Sequence, residues 1–214
     1  MAQPTLFPES GFRRLRIDIA YDGTAFFGWA AQPDRRTIQD LVEEAIARIS
    51  RGDVESVVAG RTDAGVHATG QVIHVDLPDA VFADGLSYID LRYKLNRILD
   101  EDVRIMEISD APEGFHARFS ALRRIYTYKI LDNNDVTPPL SRYDVAPWYR
   151  PLDVDLMNKA SELVLGHHDF AAFCKFKEGG TTIRTLETYR WRRDETGLLV
   201  ADVIADAFCY SMVR

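Results

Sequence analysis

Cysteine is almost missing from this chain: among 214 residues only Cys174 and Cys209 occur. Two are too few for a cysteine-based zinc site or a disulfide framework, no motif pairs them, and a reducing compartment is the simplest home. Long apolar runs are also lacking. No stretch approaches the roughly 20 residues that span a bilayer, and the opening MAQPTLFPES has neither a basic nor an apolar signal region. The expectation is a soluble, cytoplasmic chain without a membrane. Basic residues do not dominate either, since 26 Lys and Arg against 33 Asp and Glu leave a net charge of −7, which excludes a generic polyanion binder.

What is present is ordinary globular material, 46% apolar and 11% aromatic, enough for one large domain or two small ones. The charge is unevenly spread. Residues 76–113 hold ten acids against four bases, 114–150 hold six bases against three acids, and 175–193 hold six against two. One basic face is therefore compatible with the negative total.

Apolar alternation at Leu15, Ile17, Ile19 and Tyr21 predicts a half-buried strand. A helix is predicted from Thr37, with Asp40 completing a capping box, Ile38, Leu41, Val42, Ala45, Ile46 and Ile49 on one stripe, and Gly52 as the stop. Two apolar runs, Val54–Gly60 and Val72–Leu77, predict strands bracketing the loop RTDAGVHATG. A second helix is expected from about Ser87, with Leu91, Leu95, Ile98 and Leu99 inward, followed by the strand VRIMEI. A soft boundary near 110 separates domains 1–110 and 111–214. In the second, a long strand-like stretch from Phe115 to Leu131 precedes a helix Val154–Leu165, with Leu156, Ala160, Leu163 and Val164 inward. Strands around Leu186–Arg193 and Leu198–Ala205 complete it. Few helices among grouped strands give an α+β class with helices on one sheet face.

Chemistry-bearing residues concentrate in Gly60-Arg61-Thr62-Asp63-Ala64-Gly65-Val66-His67-Ala68. The glycines permit a tight turn that thrusts Asp63 outward, although Asp63 could equally serve the turn by accepting backbone N–H bonds. His67, His74, Asp63 and Asp76 show no ligand spacing for a metal, and alternation puts His74 and Asp76 on a solvated face. His167-His168 is expected to shape a loop. The stretch FHARFSALRRIYTYKI mixes His116, Arg118, Arg123, Arg124 and Lys129 with rings, as an RNA ligand asks, yet Tyr126, Tyr128 and Ile130 share a face and could be core. FFGW has the same ambiguity.

YDGTAFFGWAAQ, GRTDAGVHATGQV, FHARFSALRRIYTY, GHHDFAAF and the final MVR, in this order, resemble the tRNA pseudouridine synthase A family over nearly the whole chain. The resemblance implies two similar α+β halves with largely antiparallel sheets flanking a cleft. It further implies isomerisation of uridine at positions 38 to 40 of the tRNA anticodon arm, by a homodimer without cofactor or metal. Asp63 matches the catalytic aspartate, Arg61 an arginine that assists nucleotide flipping, Tyr126 the tyrosine packing on the base, and Arg214 the basic partner of the aspartate. Arg118, Arg123, Arg124, Lys129, Lys175, Lys177 and Arg184, in the basic segments, are the candidate tRNA contacts. The rival reading is an inactive tRNA-binding chaperone of the same fold; a metal-dependent hydrolase is a distant third. Two departures stand out: GWAAQ replaces GWQ-x-Q, leaving Ala30 at a position otherwise polar, and the chain stops after MVR, where the family continues.

Overall fold

The computed structural model describes residues 6–132, 136–176 and 178–213. It divides into two compact units, Met1–Ala121 and Leu122–Arg214. In the first, β1 (Phe12–Tyr21) turns Leu15, Ile17, Ile19 and Tyr21 inward. α1 (Ile38–Ser50) begins where the Thr37 hydroxyl oxygen accepts the Asp40 N–H and in turn donates to the Asp40 carboxylate. It ends at Arg51, whose φ of 59° is left-handed, one residue before the expected glycine stop. β2 (Ser56–Val58) and β3 (Ala68–Pro78) follow, then α2 (Tyr88–Ile98), capped by Ser87, and β4 (Val103–Asp110).

The sheet order is β2-β3-β1-β4, with every neighbour antiparallel. Ile38, Val42, Ala45 and Ile46 of α1 and Leu91 and Leu95 of α2 close one core with Leu15, Ile17, Ile19, Ile73, Val75 and Leu77. Each large aliphatic chain buried there contributes roughly 1.5–3 kcal/mol.

The opposite sheet face departs from expectation. His74 is not solvated but 3% exposed. Arg14, itself buried, holds both Asp76 oxygens at 2.8 Å and donates to the Leu6 and Phe115 carbonyls. The Ala117 N–H donates to His74 Nδ1 at 3.0 Å, and the His116 ring lies 4.9 Å from that of His74. These bonds clasp the segment after β4 to the first sheet. For that reason residues 115–123 are not a strand, and the units divide after Ala121 rather than near 110.

The second unit contains β5 (Arg124–Leu131), the two-residue β6 (Ala146–Pro147), α3 (Val154–Glu162), β7 (Gly166–Asp169), β8 (Ile183–Arg193) and β9 (Leu199–Ala205). Its order is β6-β5-β9-β8-β7, antiparallel except for β5 with β6. His167 and His168, expected in a loop, belong to β7 and pair with Thr185 and Arg184.

α3 is rotated relative to the expected stripe. Leu156 and Leu163 are 60% and 80% exposed and Ala160 is exposed, whereas Val154, Met157 and Ser161 face inward and Val164 packs on the core as expected. The Asn158 amide fixes that rotation by bonding both the N–H and the carbonyl of Trp191. Asp132 ties β5 to β8 and to the start of α3: it takes both nitrogens of Arg193 and the Leu152 N–H, and the Arg193 bonds hold its carboxyl at about 2. The sulfurs of Cys174 and Cys209 are paired, with Cα atoms 5.9 Å apart, although no motif pairs them.

Burial, then the neighbouring Arg14 and His116, push His74 down to about 4, and Asp76 only partly opposes them. The folded chain therefore holds a neutral imidazole that the unfolded chain protonates near 6.5, so stability falls as pH drops from about 6.5 towards about 4. The full loss is on the order of 3 kcal/mol. Urea midpoints should fall more between pH 7 and pH 5 for the parent than for His74→Gln; equal falls would refute this assignment.

Candidate active site

The connection between β2 and β3, residues 59–67, carries Arg61 and Asp63 on a backbone held from both sides. The Thr62 carbonyl accepts the Trp29 N–H at 3.0 Å, and the Thr62 hydroxyl lies 2.8 Å from the Tyr21 hydroxyl. The buried Gln71 amide donates to the Gly60 carbonyl at 2.7 Å. Beyond Asp63 the chain reverses through Gly65, whose φ of 77° suits glycine, and the Val66 N–H closes the turn on the Asp63 carbonyl at 3.1 Å. Asp63 is thus half-buried on a fixed turn with Arg61 exposed two residues before it.

The loop after β1 is the brace. A Cβ on Gly23 would lie 2.0 Å from the Val66 carbonyl oxygen, and one on Gly28 would lie 2.8 Å from that of Thr62 and 3.2 Å from the Asp63 carbonyl carbon. Gly28 also has a φ of 95°. The Gly23 N–H donates to His67 Nδ1 at 3.2 Å, and the Gly65 N–H to the Phe26 carbonyl at 3.2 Å. His67, 3.0 Å from Asp22, therefore joins two loops. Asp22 lies below its usual range, chiefly because the Thr24 hydroxyl donates to it.

FFGW divides residue by residue. Phe26 and Trp29 are core at 3% and 1% exposure, whereas Phe27 is 47% exposed. Arg36 stacks 4.0 Å over the Phe26 ring and pairs with Asp100 and Asp102. At the departure noted in GWAAQ, the Gln32 amide donates to the carbonyls of Phe27 and Ala30, so the second glutamine staples the loop that Ala30 only lines. Gln71, Tyr21 and the two glycines are supports that a search for reactive groups passes over. Their sequence signal is small residues set among aromatics.

In the second unit Tyr126 is half-buried on β5, opposite Val203 and edge-on to Phe208 at 4.9 Å. Tyr128 and Ile130 pack on the same core. Arg123 pairs with Glu187 and Lys129 with Asp144, each at 2.7 Å, while Arg124 donates to the Asp206 carbonyl. Arg184 donates to the carbonyls of Thr181 and Ile183, and among the described residues its buried Nε has no partner. Lys175 lies beside the Tyr210 ring. Arg118, at the end of the first unit, stacks on Phe119. Lys177 and Arg214 lie outside the described residues. Among the described residues no group of three or more His, Cys, Asp or Glu side chains could hold a metal ion, and no helix is long and apolar enough to cross a membrane.

A rigidly presented carboxylate of this kind can act as a nucleophile or a base on a bound ligand. The profile of a family described as tRNA pseudouridine synthase matches residues 19–120 and 160–214, including Arg61 and Asp63. The chain is 54% identical over 205 residues to a tRNA pseudouridine synthase A of Frankia casuarinae, covering 95% of this chain and 73% of that protein. It is 54% identical over 209 residues to the one of Streptomyces griseus, covering 96% and 73%. With the one of Mycobacterium leprae it shares 48% over 211 residues, covering 94% and 73%.

Gly23→Ala and Gly28→Ala should each lower stability by at least ~2 kcal/mol, because the new methyl meets backbone and cannot be relieved by a rotamer change. Gly52→Ala, where a Cβ meets nothing within 4 Å, should stay within about 1 kcal/mol of the parent. Thermal melting of the three variants checks this, and a Gly28→Ala chain as stable as the parent would contradict the close packing of the two loops.

Proposed function

The chain belongs to the tRNA pseudouridine synthase family, and from that premise we propose that it isomerises uridine to pseudouridine at positions 38 to 40 of the tRNA anticodon arm, using Asp63. The observation that carries this reading is a carboxylate on a turn whose flanking backbone is bonded to Trp29, Gln71 and Phe26, with the adjacent Thr62 hydroxyl bonded to that of Tyr21. Such a loop presents Asp63 without a conformational search.

The reaction suits that equipment. The C1′–N1 bond breaks, the uracil turns, and C1′ joins C5, whose hydrogen leaves as a proton while N1 gains one. No electrons are exchanged and no water is consumed. Asp63 can serve as a nucleophile at C1′ or C6, or as the base that takes the ribose C2′ proton. The target must first leave its helix, at a cost of a few kcal/mol that contacts elsewhere on the RNA offset. We assign Arg61 to that extrusion, Tyr126 to stacking on the ring, and Arg214 to the cationic partnership with Asp63 that the family resemblance implies. Arg118, Arg123, Arg124, Lys129, Lys175, Lys177 and Arg184 are the proposed phosphate contacts. The enzyme works in the cytoplasm as a homodimer without cofactor.

Release of tritium from unmodified tRNA labelled at uracil C5 tests this, because rejoining through C5 expels that hydrogen. The parent should release it, and Asp63→Asn should bind tRNA but release it about 10²-fold more slowly or worse. A parent that binds tRNA and releases nothing would overturn the reading and leave an RNA-binding protein in its place.

A further inference from the structure

We propose that Phe27 and Arg35 form a nucleotide platform beside the Asp63 loop, with Phe27 stacking on a nucleobase of the RNA strand and Arg35 pairing with a phosphate of that strand. The platform rests on the RNA-modifying function proposed above and adds to it a contact outside the reacting residues.

A single exposed phenylalanine means little, since apolar atoms make up much of any protein surface. Phe27 differs in how it is held. Its N–H donates to the Arg36 carbonyl at 3.0 Å, and its carbonyl accepts from the Gln32 amide at 2.9 Å. Its neighbours Phe26 and Gly28 are fixed by the core and by the Asp63 loop. A chain this restrained could have carried a polar residue in the outward slot at no packing cost, and it carries a ring that is 47% exposed.

Arg35 supplies the second observation. Its guanidinium lies 4.4 Å from the centroid of the Phe27 ring, and among the described residues no carboxylate pairs with it. The adjacent Arg36 shows the contrast, being committed to Asp100 and Asp102. A turn closed by the Arg35 N–H on the Gln32 carbonyl, with Asp34 left-handed at a φ of 57°, sets Arg35 in place. Stacking pre-orders the guanidinium while leaving its N–H donors in solvent, where they meet phosphate oxygens well.

Location supplies the third. A Cβ at Gly28 would touch the Asp63 carbonyl carbon at 3.2 Å, and Phe27 is the residue next to it. An aromatic face, an unmatched cation and the candidate catalytic loop thus adjoin one another on one rigid support. That combination recognises a nucleobase with its phosphate, and a strand passing Asp63 presents one. A second copy of the chain would leave the Arg35 charge to be matched by an acid that nothing here designates.

The test measures binding of an unmodified tRNA transcript across a salt series, tritium release, melting temperature and sedimentation. It compares the parent with Phe27→Leu, Phe27→Tyr, Arg35→Ala and Arg35→Lys. Phe27→Leu should raise Kd about five-fold or more at unchanged melting temperature, and Phe27→Tyr should restore it. Arg35→Ala should reduce the slope of log Kd against log salt by slightly less than one, with Arg35→Lys restoring most of it. Unchanged Kd and slope in a parent that still releases tritium would overturn the platform and leave the proposed function standing. A change in sedimentation without a change in Kd would overturn it in favour of a contact between copies. If the parent releases no tritium, the function falls and the platform with it.

Discussion

Where two stretches of backbone must pass within hydrogen-bond distance, no side chain fits between them, and the first unit is arranged around one such passage. The loop after β1 and the loop before β3 meet at Gly23 against Val66 and at Gly28 against Thr62 and Asp63. The contact is made by carbonyl and amide groups, so its geometry depends on rigid peptide planes rather than on rotamers. Asp63 inherits that rigidity. Its neighbours Arg61 and Thr62 can then differ in role, one exposed and the other consumed in bonding Tyr21 and Trp29.

A second restraint lies on the opposite face of the same sheet. Arg14 could not be buried there alone; it is tolerated because Asp76 and two carbonyls satisfy its nitrogens. Satisfying it brings Phe115 onto the sheet, and His74 then accepts the Ala117 N–H. The start of the segment after β4 is thereby a strap bound to the first sheet rather than a linker. Polar groups buried in this way stabilise little relative to an apolar pair, but they specify one docking register.

How much of this was legible in the sequence follows from which forces are local. Alternation and heptad-like stripes depend on neighbours along the chain, and they located β1, α1, α2, β8 and β9 and both helix caps of the first unit. The GRTDAGVHA loop stands out in the sequence as a candidate site because reactive groups and glycines crowd nine residues. Burial of His74 was not visible, since alternation puts it on the polar face and only the strap, arriving from forty residues later, covers it. α3 failed in the same way: Leu156 and Leu163 are the obvious inward residues, and the Asn158 amide overrides them by holding Trp191. In FFGW the composition could not separate core from surface, because the answer alternates within four residues.

The two units share an order of connection, which gives the Asp63 loop an equivalent hairpin in the second unit. The first runs β1-α1-β2-β3 with β1 beside β3, and the second, apart from the short β6 and β7, runs β5-α3-β8-β9 with β5 beside β9. Their equivalent hairpins differ sharply. In the second unit the connection from β8 to β9 is a tight turn in which the Asp194 carboxylate accepts the N–H groups of Thr196 and Leu198, consuming the acid in structure. In the first unit the same connection is lengthened to residues 59–67, and among the described residues no N–H donates to the Asp63 carboxylate: the turn is closed instead by the Asp63 carbonyl, by Gly65 and by the loop after β1. Support from a neighbouring loop is what holds this longer turn in shape, and it requires the glycines at 23 and 28 that the shorter hairpin does without.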